Sequence, residues 1–187
     1  MEKKIWFTSD LHFCHNREFV YGPRGFKNVY DMNETLVALW NQKVNPEDTV
    51  YLLGDVMLND NDTGLKLLKQ LKGRIHIVLG NHDTDTRAAL YETCWNVDEV
   101  ALAAKLKYKG YHFFMTHYPC FTGNLEKESL KQCTCNLYGH THQHTNFYQD
   151  IPFMYHVGVD SHMCAPVSAD EVITDMEAKV KECKELL

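Results

Sequence analysis

The chain reads as an α/β protein in which two sheets pack together with helices outside. Strand-like and helix-like segments alternate through the first 80 residues, the pattern of βαβ crossovers. After residue 96 the texture changes to short β-like runs, and the chain then closes in one long amphipathic helix.

Each element has a local reason. Residues 4–9 are a strand-like run that ends at Asp10. Asp31 and Glu34 have the spacing of a helix capping box, and Leu36, Val37, Trp40 and Val44 fall on one helical face behind it. Residues 49–53 form a buried strand running into Gly54-Asp55. Leu65, Leu68 and Leu71 mark a short amphipathic helix closed by Gly73. Residues 75–79 are the next strand and deliver Gly80-Asn81-His82, so a largely parallel sheet is expected. Val97–Ala101, 105–108 and 111–116 are short strands, with Lys109-Gly110 as a hairpin turn. Residues 136–138 and 154–157 add two more. Residues 168–187 are a helix with a Ser168/Glu171 capping box and apolar Val172, Met176, Val180 and Cys183. No repeat, low-complexity tract or linker interrupts this order, so residues 1–187 are expected to form a single domain.

Composition narrows the function. At 44% hydrophobic and 24% charged, the chain has the balance of a soluble globular protein. Its longest apolar runs, 51–53 and 75–79, are strand-sized, so no membrane span is expected. Seven cysteines, with no secretory h-region behind Met1-Glu2-Lys3-Lys4, point to reduced thiols and a cytoplasmic location. A formal charge of −6 argues against stable binding to long nucleic acid. It does not exclude a small phosphate ester, because bound divalent cations would reverse the field of a cleft locally.

The chemistry lies in five motifs in fixed order: Asp10-Leu11-His12, Gly54-Asp55, Gly80-Asn81-His82-Asp83, His117 and Gly139-His140-Thr141-His142. All but His117 sit at the end of a strand-like run, where open α/β sheets collect ligands. Asp10 and His12 are two apart, as are His140 and His142, so each pair can reach one ion. The Asp55 carboxylate can serve two ions, one oxygen for each, and Asn81 offers a neutral amide oxygen. Imidazole mixed with carboxylate suits Mn²⁺, Fe, Zn²⁺, Ni²⁺ or Co²⁺ better than Ca²⁺, and Mn²⁺ is the first expectation. Taken singly, each motif also reads as a turn or a surface pair; their order at strand ends is what separates them from that reading.

This ordered set resembles the calcineurin-like metallophosphoesterase superfamily. Residues 8–16, 51–55 and 116–119 are similar to its compact bacterial and phage predicted phosphoesterases. The resemblance implies a four-layer α/β-β/α sandwich of two mixed sheets with helices on both outer faces. It also implies two divalent metal ions at the loops of one edge. One would be held by Asp10, His12, Asp55 and His142, the other by Asp55, Asn81, His117 and His140, with a water or hydroxide between them. His82 would face substrate as the catalytic histidine, an imidazole being suited to proton transfer near neutral pH. The implied activity is hydrolysis of a small phosphoester, tilted toward phosphodiesters and including nucleotide-derived ones. The alternatives are a phosphomonoesterase or nucleotidase, a pyrophosphohydrolase, and a catalytically weak metal-binding scaffold.

The chain departs from the superfamily in one place. Many members carry a second acid three residues after the bridging Asp, paired with the catalytic His; here that residue is Leu58, and Asn59 stands where protein phosphatases have Arg. Asp60, Asp83 or a main-chain carbonyl is left to orient His82. His15, Asn16 and Arg17 are candidate substrate contacts, with a polar loop as the competing reading. Residues 22–28 and 121–133 are expected to flank the cleft. Cys133-Thr134-Cys135 reads as thiols rather than half a metal knuckle. His144, His156 and His162 read as solvated or structural, and Trp6, Trp40 and Trp95 as core.

Overall fold

A computed structural model of the chain describes residues 2–123 and 129–185. Two mixed sheets and their helices make up an α/β fold. In the first sheet β1 (Ile5–Thr8), β2 (Thr49–Leu52), β3 (Arg74–Val78) and β4 (Val97–Ala101) run parallel, and β9 (Val167–Ser168) pairs antiparallel with β1, in the order β4-β3-β2-β1-β9. In the second, β5 (Ala104–Tyr108) and β6 (Tyr111–Met115) form the Lys109-Gly110 hairpin. Parallel β7 (Thr134–Tyr138) and β8 (Met154–His156) continue it.

Adjacent strand residues point to opposite faces, and this chain loads both faces of the first sheet with apolar side chains. Trp6, Leu52 and Ile77 face one way. They pack against Met32, Leu36 and Trp40 of α2 (Val29–Lys43), Leu68 of α3 (Asn61–Leu68) and Tyr91 of α4 (Asp85–Tyr91). Their neighbours Phe7, Leu53 and Val78 face the other way. These meet Phe113, Met115, Leu137 and Tyr155 of the second sheet and Val172 and Met176 of α5 (Ala169–Glu185). Each such fully buried side chain contributes ~1.5–3 kcal/mol. Because β1, β2 and β3 are in parallel register, Thr8, Leu52 and Val78 all end at one edge. Parallel β6 and β7 end together in the second sheet. The five motifs therefore leave from strand carboxyl ends.

Several boundaries differ from the sequence expectation. The cap of α2 is Asn28, whose side chain accepts from Tyr30 N and Asp31 N; Asp31 lies in the first turn. The apolar face extends back through Val29 and Met32, which places the start one turn earlier than the Asp31/Glu34 spacing. Helix α3 stops at Leu68, Leu71 being buried in the turn beyond it. The Ser168/Glu171 capping box forms reciprocally: Glu171 N donates to Ser168 Oγ, and Ser168 N to Glu171 Oε2. Residues 186–187 of the expected last helix lie outside the described residues. Helices α1 (Glu18–Tyr21) and α4 and strand β9 were not anticipated. Trp6 and Trp40 are core, but Trp95 is 65% exposed. Among the described residues no helix is long and apolar enough to cross a membrane.

Candidate metal centre

Five of the motif residues adopt left-handed backbone conformations: Asp10 (φ 59°), His12 (φ 50°), Asp55 (φ 55°), His140 (φ 68°) and His142 (φ 48°). Each costs a non-glycine residue on the order of 1 kcal/mol or more, so the surrounding contacts must over-determine them. They do. Asp10 N donates to Gly54 O (3.0 Å), His12 N to Asp55 O (2.9 Å), and Gly139 N to His117 O (2.9 Å). His140 N donates to Asp10 Oδ2 at 3.0 Å.

Asp83 is the clamp between two of the loops. Its buried carboxylate accepts from Asp55 N (2.7 Å), Gly80 N (2.9 Å), Val56 N (3.2 Å) and the Tyr91 hydroxyl (2.7 Å). The loops also approach too closely for larger residues: a Cβ at Gly139 would lie 2.3 Å from Ser9 Oγ and 2.5 Å from Asp10 Oδ2.

The result is a cluster of donors aimed at a common space. Ligand atoms of Asp10, His12 and His142 lie within 4.8 Å of one another, as do those of Asp10, Asp55 and His117. Asp55 Oδ2 sits between the two halves, 3.5 Å from His12 Nε2 and 3.6 Å from His117 Nε2. Asn81 Oδ1 is 2.9 Å from His117 Nε2 and 2.8 Å from His140 Nδ1. All seven residues expected as ligands thus meet at one site.

This donor set fits divalent cations. His12 Nε2 is buried with no hydrogen-bond partner among the described residues, an arrangement that is costly unless a cation takes its lone pair. The opposite nitrogens are engaged: His117 Nδ1 donates to Leu53 O (2.8 Å), His142 Nδ1 faces Asp160 Oδ2 (2.8 Å), and His12 Nδ1 faces His15 Nδ1 (3.1 Å). Such partners fix the ring orientation that a metal ligand needs. Charge points the same way. Burial raises the Asp10 carboxyl above its ordinary range despite His142 and His117 nearby. Burial, together with neighbouring His142 and Arg24, holds His12 well below the usual imidazole range. A bound cation would return the Asp10 carboxyl to its ionised form, and the neutral imidazole is the form of His12 that can ligate one.

Two residues of this arrangement were not read from the sequence. Arg24, buried, donates Nε to Asp160 Oδ1 (2.8 Å), Nη2 to Asp160 Oδ2 (3.0 Å) and Nη2 to Asp10 O (2.8 Å). Burial works against ionised Asp160, but His142 and Arg24 outweigh it and hold its pKa low. Arg24–Asp160–His142 is therefore a continuous polar chain behind the ligands. Its one sequence signal is Gly158-Val159-Asp160 at a strand end, a looser version of Gly54-Asp55.

His82 is half-exposed, with Nε2 3.9 Å from Asp55 Oδ2. Neither acid proposed to orient it does so: Asp60 caps α3 by accepting from Thr63 N, and Asp83 is used as above. The main chain of His82 is held instead, its N donating to Asp55 Oδ1 (2.9 Å) and its O accepting from Arg87 Nη1 (2.6 Å). His15 lines the cleft. Asn16 and Arg17 line a separate cavity of about 450 Å³ with Tyr30, Asp60 and Thr63. Pro23 borders the cleft, as expected of residues 22–28. Phe121 and Thr122 line a different cavity on the second sheet, and residues 124–128 of that expected flank lie outside the described residues. His144 lines the cleft, whereas His156 and His162 are bonded to Ser161 Oγ and His156 O. Cys133 and Cys135 are buried, and burial pushes the Cys135 thiol up to about 12.

Fold and site together define a class, an α/β protein with imidazole and carboxylate donors converging at strand carboxyl ends. The profile described as the calcineurin-like phosphoesterase superfamily domain matches residues 4–163, and the chain belongs to that superfamily, whose members are metal-dependent hydrolases of phosphoester bonds. It is 31% identical over 185 residues to an uncharacterized protein of Methanocaldococcus jannaschii, covering 94% of this chain and 92% of that one. A solved protein of unknown function from Aquifex aeolicus is similar in fold, with a TM-score of 0.71 and 25% identity, over 92% of this chain and 99% of the other. A phosphoesterase from E. coli shares the fold at a TM-score of 0.50 and 19% identity, over 83% of this chain and 78% of the other.

Proposed function

We propose that the protein hydrolyses a small phosphoester, with phosphodiesters favoured, at a site holding two divalent cations of which Mn²⁺ is the first candidate. The observation that carries this reading is Asp55 Oδ2, set 3.5 Å from His12 Nε2 on one side and 3.6 Å from His117 Nε2 on the other. Asp10, His12, Asp55 and His142 would hold one cation; Asp55, Asn81, His117 and His140 would hold the second. When bound, such a pair supplies an acidified water and neutralises charge on the phosphoryl oxygens.

The rest is the work of the chain's own residues. His82 lines the cleft with its main chain fixed at both N and O, and its ring would donate a proton to the leaving oxygen. Arg24 and Asp160 hold His142 from behind. The preference for diesters follows from charge. Among the described residues no Lys or Arg lines the cleft, and buried Arg24 is committed to Asp160 and Asp10 O. A monoanionic diester therefore suits the site better than a dianionic monoester or a pyrophosphate, which would call for further cationic groups.

The test is hydrolysis of bis-p-nitrophenyl phosphate against p-nitrophenyl phosphate, with Mn²⁺ or chelator, wild type beside Asp55→Asn. The reading expects metal-dependent turnover, faster on the diester and lost in the variant. Turnover that survives chelator, or that Asp55→Asn leaves intact, would sink it.

A further inference from the structure

The cleft has a volume of about 490 Å³, and the ligand cluster supplies only part of its lining. That volume lies in the range of pockets that take a whole small molecule, so there is room beyond a phosphoryl group. The apolar part of the lining consists of Phe19, Val20 and Pro23. Helix α1 buries Val20 and turns Phe19 outward, leaving it 73% exposed. Phe7, Phe13 and Phe113, by contrast, are at most 1% exposed. An uncovered aromatic ring beside a polar cleft forgoes the burial that Phe7, Phe13 and Phe113 have, and its place in the cleft lining gives it a partner in a ligand.

Two imidazoles share the cavity with that ring. His15 meets Phe19 edge-on, with centroids 5.7 Å apart and planes at 87°, and His144 lines the same cavity. Each imidazole is anchored through Nδ1, His15 at His12 Nδ1 (3.1 Å) and His144 at Asp160 O (3.2 Å). Among the described residues neither Nε2 has a hydrogen-bond partner, which leaves both to meet a ligand. A ring to stack on with two imidazole nitrogens alongside matches a nucleobase, which has both a π-face and a heteroatom edge; a plain aryl group has only the face.

We propose that Phe19, with Val20 and Pro23, forms a subsite for the base of a nucleotide-derived phosphoester whose phosphoryl group sits at the candidate metal centre. This rests on the phosphoesterase reading and names its substrate class.

Binding tests it without turnover. The ligands are the methyl ester of the adenosine 5′-phosphonate in which CH₂ replaces the bridging ester oxygen, a monoanion like a phosphodiester, and the same ribose phosphonate methyl ester without a base. Each is titrated calorimetrically into Mn²⁺-loaded full-length protein and into metal-free protein. The base-bearing ligand is expected to bind more tightly than the baseless one. Phe19→Ala should weaken the former by about five-fold or more while leaving the latter unchanged. Phe19→Trp should restore the difference. Exposed Phe19 is outside the core, and circular dichroism of each variant checks that the fold is kept. Equal affinities in the wild type, or an equal loss of both ligands in Phe19→Ala, would overturn the subsite while Mn²⁺-dependent phosphonate binding kept the phosphoesterase reading alive. No binding of either ligand with or without Mn²⁺ would bring down both.

Discussion

Asp160→Asn separates the support of the candidate centre from its ligands. Asp160 touches no cleft metal position assigned above, yet it joins three segments of chain: the loop carrying Arg24, the Gly-His-Thr-His loop, and the turn after β8. The substitution keeps shape and removes charge, leaving buried Arg24 without its counter-ion. Breaking one side of a buried pair costs ~3–5 kcal/mol. Arg24 would keep Asp10 O at 2.8 Å and a longer contact to Leu11 O at 3.4 Å, which favours the low end. A loss of about 3 kcal/mol corresponds to a Tm lower by roughly 6–12 °C in a chain of this length. His142 would also lose the partner that aims its Nε2, and losing such a partner typically weakens metal binding by about 10–100-fold. Urea denaturation and Mn²⁺ titration calorimetry read the two effects separately. The double variant Arg24→Met/Asp160→Leu, which removes both charges, should recover stability without recovering metal affinity. Wild-type Mn²⁺ affinity in Asp160→Asn would refute the idea that this carboxylate orients His142.

Three further outcomes are expected. His82→Ala should keep its metal content, measured by elemental analysis, while kcat falls by about 10²–10⁴, the usual reach of a general acid or base; loss of metal would make His82 a ligand instead. Gly139→Ala must displace Ser9 or Asp10, since its Cβ would stand 2.3 Å from Ser9 Oγ; it should lower both Tm and Mn²⁺ affinity, and an unchanged variant would mean that the loops are looser than drawn. Asp48 is buried and accepts from Lys4 N (2.9 Å), Trp6 Nε1 (3.0 Å) and Asn45 N (2.9 Å). Burial alone would raise its pKa, but these bonds together lower it. A carboxylate whose folded pKa is depressed adds stability above its unfolded pKa, near 3.9, and loses it as pH falls through the folded value. Asp48→Asn should therefore cost about 1.5–3 kcal/mol at pH 7, with the gap to wild type closing below about pH 4 in pH-stepped urea melts.

What the sequence made legible and what it hid divide along a physical line. Asp10, Asp55, Asn81 and His140 could be read because each follows an apolar strand within two or three residues, and parallel strands bring their carboxyl ends to one edge without knowledge of packing. Arg24 and Asp160 are 136 residues apart and meet only once both sheets have closed, so no local period announces them. Arg24 lies in a loop and Asp160 in a single 3-10 turn (Val159–Ser161), and the Asp160 position differs from an ordinary turn acid only through its partner. Helix α4 escaped for another reason: only Tyr91 is buried in it, too few apolar positions to set a period, and Thr84 capping it looks like any loop threonine. The early start of α2 was legible in principle. Val29, Met32, Leu36 and Trp40 share one face, and where a capping spacing and an apolar period disagree, the period reports burial and decides. His82 shows the same division at the site itself. The chain has Leu58 where many members carry a partner acid, and the fold instead holds the His82 main chain through the Asp55 carboxylate and the Arg87 guanidinium. Asp55 lies 27 residues from His82 and meets its main chain only where the two loops cross, so the pairing has no local sequence signature.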